Sequence, residues 1–231
     1  MANAPVTGMP ATSRVTPTGA LLADAGLERV NGSLHMSGVA LLDIAESAGT
    51  PCYVYNADAI RNRYETLSRV LAPLTHRICY AVKANGNLAV LNLLRELGAG
   101  ADIVSGGELS RALAAGFPAD RIVFSGVGKT AAELEQAIRE QIGHINVESS
   151  EELAVLAGLA RTVGHPVRVG IRVNPDVTAE THPYISTGQS GIKFGMPADQ
   201  VRAAAELIAA HPRLELTTIA MHLGSQLSST A

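Results

Sequence analysis

From about residue 57 onward, short continuous apolar runs alternate with longer stretches in which apolar residues recur every three or four positions. The first pattern suits buried strands and the second suits amphipathic helices. Helix "ADAIRNRYETLSRVL" precedes strand "RICYAVKAN", and helix "NLAVLNLLRELG", closed by Gly98, precedes strand "ADIVS". Then "GELSRALAAG" leads to "RIVFSG", and "TAAELEQAIREQI" leads to "HINVES". A capping box from Ser149 to Glu152 opens the next helix, which runs on to strand "VRVGIRVN". Residues 175–195 carry glycines and prolines and read as loop. A helix with Pro197 at its first turn then leads to "TTIAMHLGS". The pattern therefore predicts six strands, through Lys83, Asp102, Phe124, Val147, Val169 and Met221.

Ahead of this alternation the text is different. Residues 1–26 begin with a stretch rich in Ala, Thr and Pro and are expected to be flexible. Residues 27–56 start with "LERVNGSLHM", where Asn31-Gly32 signals a two-residue hairpin. A short helix closed by Gly49 follows, then a strand from Pro51 to Asn56. Residues 57–231 form the alternating part.

Single helices between apolar strands argue for a parallel sheet. An open doubly wound sheet and a (β/α)8 barrel both satisfy that pattern. The open sheet should carry a glycine-rich phosphate turn after its first strand, and "KANGNL" matches poorly. The barrel needs eight strands, of which six are present. The expected fold is thus an α/β (β/α)8 TIM barrel, truncated after about six strands. Such an open barrel would expose strand edges, so the 231-residue piece alone is expected to be poorly soluble or inactive.

Composition narrows the class. Hydrophobic residues make up 47% of the chain but aromatics only 3%, so Ala, Leu, Val and Ile must fill the core. The net charge of −3, with no basic cluster, argues against nucleic-acid and anionic-membrane partners. No signal peptide and no apolar run of the ~18–20 residues a span needs are present, so a soluble, cytoplasmic protein is expected. Cys52 and Cys79 sit in apolar runs and read as core residues, with neither metal spacing nor a disulfide framework.

Polar residues gather at the C-terminal ends of the predicted strands, where barrels place their chemistry. They are Lys83 and Asn85, Asp102 and Ser105, Glu148, Arg172 and Asn174, and His222 and Ser225. Individually, Asp102 could be a strand-end cap, Glu148 a first-turn helix residue, and Arg172 half of a structural ion pair. Lys83 is the most pointed of them. Strand alternation puts Ile78, Tyr80 and Val82 on one face and Cys79, Ala81 and Lys83 on the other, so the lysine reads as buried. A buried amine of lowered pKa can form a Schiff base with a carbonyl. The carbonyl could be a substrate's, as in an aldolase, or that of pyridoxal phosphate.

The motif "YAVKAN" resembles the cofactor-lysine motif of the alanine-racemase-like, fold-type III pyridoxal phosphate decarboxylases. "ADIVSGGEL", "NVESSEEL", "RVNPDVTAETHPYISTGQSGIKFG" and "MHLGSQ" follow in that family's order. The combination of "HPYISTG", "KFG" and "HLGSQ" resembles the diaminopimelate decarboxylase branch rather than the ornithine or arginine branches. This resemblance implies pyridoxal 5′-phosphate as cofactor and conversion of meso-2,6-diaminopimelate to L-lysine and CO2 by a homodimer. It also implies that residues 27–56 lead in from a β-rich second domain. Lys83 would hold the cofactor covalently, His222 would stack on its ring, and Ser225 would help bind its phosphate. Asp102, Glu108 and Arg172 would line the pocket. His182, Tyr184 and Thr187 mark the family's signature loop; His182 and Thr187 are the substrate candidates, although His182 could simply brace that loop. "SGGE", Ser105 to Glu108, reads as a helix start rather than as a phosphate loop.

Overall fold

The computed structural model describes residues 25–175 and 194–222, in two compact units divided in sequence between Leu67 and Ser68. In the first unit, Asn31 and Gly32 take φ values of 49° and 85°, the left-handed pair that a type I′ hairpin turn requires. They join β1 (Leu27–Val30) to β2 (Ser33–Met36), and β3 (Val39–Ala40) completes a three-stranded antiparallel sheet. Helix α1 (Leu41–Ala48) follows and ends at Gly49, whose N–H donates to the Ala45 carbonyl.

The strand expected from Pro51 to Asn56 does not form; the segment has no ladder partner among the described residues. Pro51 cannot donate to a ladder, and Tyr53 is 89% exposed, so alternation there had no sheet to join. Cys52, expected in the core, is exposed for the same reason, and Cys79 is only half-buried. Asn56 instead opens the long helix α2 (Ala57–Leu71), its side-chain oxygen accepting from the N–H groups of Asp58 (2.9 Å) and Ala59 (3.2 Å).

The second unit holds six parallel strands: β4 (Cys79–Ala81), β5 (Gly100–Ile103), β6 (Ile122–Phe124), β7 (His144–Val147), β8 (Val167–Arg172) and β9 (Leu214–Ala220). Between them run α3 (Leu88–Glu96), α4 (Gly106–Ala114), α5 (Ala131–Arg139), α6 (Ser150–Ala160) and α7 (Ala198–Ala210). The spatial order is β4-β5-β6-β7-β8-β9. A doubly wound sheet reverses its strand order at a switch point; this one adds every new strand to the same edge. That is the winding of a barrel, and it separates the two architectures the pattern left open.

The core lies between the sheet and its helices. Ile103, Phe124, Ile145, Val147, Val169 and Ile171 are essentially fully buried, as are Leu91, Leu109, Leu134, Leu153, Leu156 and Ile208 from the helices. Each such side chain contributes on the order of 2 kcal/mol. The alternate positions, Asp102, Ser125, Asn146 and Arg172 among them, must point to the sheet's other face. That inner face is polar.

Three strand-to-helix junctions share one sequence device, a hydroxyl three residues before a glutamate. The side chains of Ser105, Thr130 and Ser149 accept from the N–H groups of Glu108, Glu133 and Glu152. Thr130 and Glu133 form a complete capping box. The box expected at Ser149 and Glu152 is half formed: Glu152 sends its carboxylate to Lys129 instead (2.6 Å). "SGGE" is the helix start expected, and Glu108 accepts from the Val104 N–H (2.8 Å).

Candidate active site

Six strands running the same way bring their C-terminal ends to one rim, and most of the polar candidates lie along it. β4 stops at Ala81, and a 3-10 turn, Val82–Ala84, carries the chain off the sheet. The turn breaks strand alternation, so Val82 takes the buried position (1% exposed) and Lys83 is exposed. The expectation of a buried Lys83 within a strand is therefore corrected. Its amine stands at the rim, and Asn85 beyond it accepts from the Asn87 N–H, turning the chain into α3.

Asp102 lies in β5, beside Ala81 of β4. Burial holds its carboxyl above the usual aspartate range; a Ser125 hydrogen bond and the charges of Lys83, Arg172 and His222 work the other way. His222 follows β9, after the expected strand position Met221, which lies one residue past the strand's end. Its imidazole is held below the ordinary value, first by desolvation, then by Arg172 and Lys83. Lys83, Asp102, Arg172 and His222 thus form one electrostatically connected group. The register of β8 and β9 slips between Val169 and Gly170, a bulge that places one extra residue, Thr217, in β9.

Arg172 ends β8 and is held from three directions. Its guanidinium donates to Glu148 Oε1 at 2.7 Å, its backbone carbonyl accepts from Met196 N–H at 2.7 Å, and the Phe194 ring lies 5.7 Å from the guanidinium carbon. The ion-pair reading of Arg172 is thereby correct in geometry, but the pair sits at the rim rather than at a remote surface. Glu148 is 6% exposed. Its Oε1 also accepts from Gly126 N–H (3.1 Å), while its Oε2 has no partner among the described residues.

Asp102 Oδ1 and Asn146 Oδ1, on the same sheet, are likewise buried without a partner among the described residues. Asn146 donates through Nδ2 to Ser125 Oγ (3.2 Å), and its side chain lies across Gly170, where a Cβ would collide with Oδ1. Buried acceptors left open cost stability unless a group fills them. A polar molecule with an amine-reactive carbonyl and hydrogen-bond donors suits this inner face, with Lys83 as the reactive amine. Pyridoxal phosphate has that chemistry.

Sequence reasoning missed Lys129. This lysine, not Lys83, is the buried one: its side chain is 0% exposed. It donates to the carbonyls of Gly126 and Asn146 (2.7 Å each) and to Glu152 (2.6 Å). A lysine immediately before a helix N-cap, in the rim loop after β6, was the available signal. Ser225, His182, Tyr184 and Thr187 lie outside the described residues.

Residues 57–231 match the family described as pyridoxal-dependent decarboxylase, pyridoxal binding domain. The chain belongs to this family. Among sequences, the diaminopimelate decarboxylase of Pseudomonas aeruginosa is 48% identical over 198 residues, covering 86% of this chain and 48% of that protein. Among solved structures, Helicobacter pylori diaminopimelate decarboxylase complexed with L-lysine is similar at TM-score 0.77 and 42% identity, over 81% of this chain and 48% of the other. A solved structure of diaminopimelate decarboxylase from m. jannaschi gives TM-score 0.80 at 36% identity, over 90% of this chain and 50% of the other. The chain spans about half the length of these diaminopimelate decarboxylases. No helix among its described residues is long and apolar enough to cross a membrane.

Proposed function

We propose that this chain is the cofactor-binding part of a diaminopimelate decarboxylase, which releases CO2 from meso-2,6-diaminopimelate to leave L-lysine. The observation that carries the reading is the rim itself: a primary amine, Lys83, in one charge-coupled group with Asp102, Arg172 and His222. The likeness to diaminopimelate decarboxylases at 42–48% identity supports the choice of substrate.

Pyridoxal phosphate, when bound, supplies a conjugated electron sink for the pair left behind when a carboxylate departs. Lys83 supplies the amine that anchors it. Its place on a turn past the strand end leaves that amine free to reach a carbonyl and to give way to a substrate amine. Asp102, with an open buried oxygen, accepts from a donor on the cofactor or on Lys83. Arg172 is fixed by Glu148 and Phe194, so its remaining N–H groups keep one direction. His222, biased toward the uncharged imidazole, offers a flat ring face at the mouth of the site. In this reading Ser225 also serves the phosphate, and His182 and Thr187 serve the substrate. A cytoplasmic homodimer belongs to the same proposal, as does a division into a lead-in over 27–56 and a barrel over 57–231.

The test is an assay of the full-length protein with pyridoxal phosphate against meso-diaminopimelate, ornithine and arginine. Lysine and CO2 from the first alone support the proposal. Turnover of ornithine or arginine instead would move it to another branch, and cofactor binding with no turnover of any would make it a non-catalytic homologue.

A further inference from the structure

We propose that Lys129 is a positioning residue that sets the direction of the Arg172 guanidinium through the backbone of Gly126 and through Glu148. The connections are continuous. Lys129 Nζ donates to the Gly126 carbonyl at 2.7 Å. The N–H of that same residue donates to Glu148 Oε1 at 3.1 Å, which accepts from Arg172 Nη1 at 2.7 Å. Gly126 takes φ 90° and Val104 crowds the space a Cβ would take, so this junction requires glycine. Lys129 also grips the Asn146 carbonyl, two residues before Glu148 on β7, and Glu152, whose Oε2 lies 3.4 Å from the Glu148 N–H. Three chain segments around Glu148 are therefore tied to one ammonium, which also sits 5.6 Å from the centre of the Phe124 ring.

A purely stabilising role explains this poorly. Burying an ammonium is costly even when it is paired, and apolar side chains often serve a core as well or better. What an ammonium adds here is direction. Its three donors meet three acceptors from the β6–α5 loop, β7 and α6, and this fixes the Gly126–Val127 peptide, one Cα away from the Ser125–Gly126 peptide whose N–H meets the glutamate. The role rests on the proposal that Arg172 faces the cofactor, and concerns how firmly it does so.

The experiment titrates pyridoxal phosphate into the full-length protein and reads the visible circular dichroism of the bound cofactor. Lys129→Met, similar in length and uncharged, is expected to weaken binding roughly 10- to 100-fold, the range for groups that support a direct ligand. In a Glu148→Gln background the same change is expected to cost far less, because the relay is already broken. Glu152→Gln should shift affinity the same way by a smaller factor, and it decides the matter where Lys129→Met does not fold. Equal losses in both backgrounds, or unchanged affinity in the decisive variant, would overturn the positioning role alone. A wild-type protein with no cofactor signal would overturn the functional reading and this role with it.

Discussion

Glu148 and Arg172 form the pair on which the site's geometry turns, and cutting it gives a prediction whose sign is more telling than its size. At 2.7 Å their gross attraction is ~6 kcal/mol for an effective dielectric constant of about 20. Desolvation of both groups consumes most of that, so the net contribution of the pair is small. Losing one partner is different. In Arg172→Met, Glu148 remains a buried carboxylate, its side chain 4% exposed, with only the Gly126 N–H to satisfy it. The cost of such an orphan is about 3–5 kcal/mol. Arg172 is itself 15% exposed, so water reaches the gap and the lower end, about 3 kcal/mol, is expected. With a urea m-value of about 3 kcal/mol/M, the midpoint should fall by roughly 1 M. Adding Glu148→Gln to Arg172→Met removes the orphaned charge while keeping an acceptor for Gly126, and should restore about 1–2 kcal/mol. The assay is urea unfolding of the cofactor-free full-length protein, wild type, both single variants and the double. A double variant less stable than Arg172→Met alone would refute the argument, because the carboxylate would then not be the source of the loss.

Two glycines should respond to alanine with opposite signs. At Gly100 a Cβ would lie 2.6 Å from the Arg121 carbonyl and 2.8 Å from Cys79 Sγ, so Gly100→Ala should destabilise by about 1–3 kcal/mol as strain at the edge of β5. Gly158, inside α6, meets nothing within 4 Å, and Gly158→Ala should stabilise by roughly 0.5–1 kcal/mol; thermal melts of the two variants check both. Asp102 gives a pH dependence. Because burial raises its pKa above 3.8, the folded protein keeps this proton to higher pH than the unfolded chain. The stability it contributes is whole below the unfolded value and is lost as pH rises through the folded one. Asp102→Asn should therefore gain on wild type as pH rises above the unfolded aspartate value; a difference that does not change with pH would count against it.

The strands and helices of the second unit were legible because each carries its own period and its own stop signal. Asn31-Gly32, Gly49 and Gly98 marked turns that the backbone makes with positive φ. What depended on partners distant in sequence was not legible. The apolar run at Pro51 to Asn56 looks like a strand, yet pairing is decided by whether an edge is available. Lys83 was misjudged through a difference of two residues: a strand that continued past Ala81 would have buried it, and a 3-10 turn does not. The capping box at Ser149 failed because Lys129, 23 residues away from Glu152, competes for its carboxylate. Burial of Lys129 is set by Gly126, Asn146 and Glu152 together, and no local pattern reports three such acceptors.

The central claim is that Lys83 is the amine that takes the cofactor, and the most direct test is chemical. Borohydride reduction of the full-length protein with pyridoxal phosphate, followed by peptide mass mapping, should place a single reduced adduct on Lys83. Lys83→Ala should abolish it. An adduct centred on another lysine, or labelling scattered over the surface while Lys83 stays free, would contradict the account.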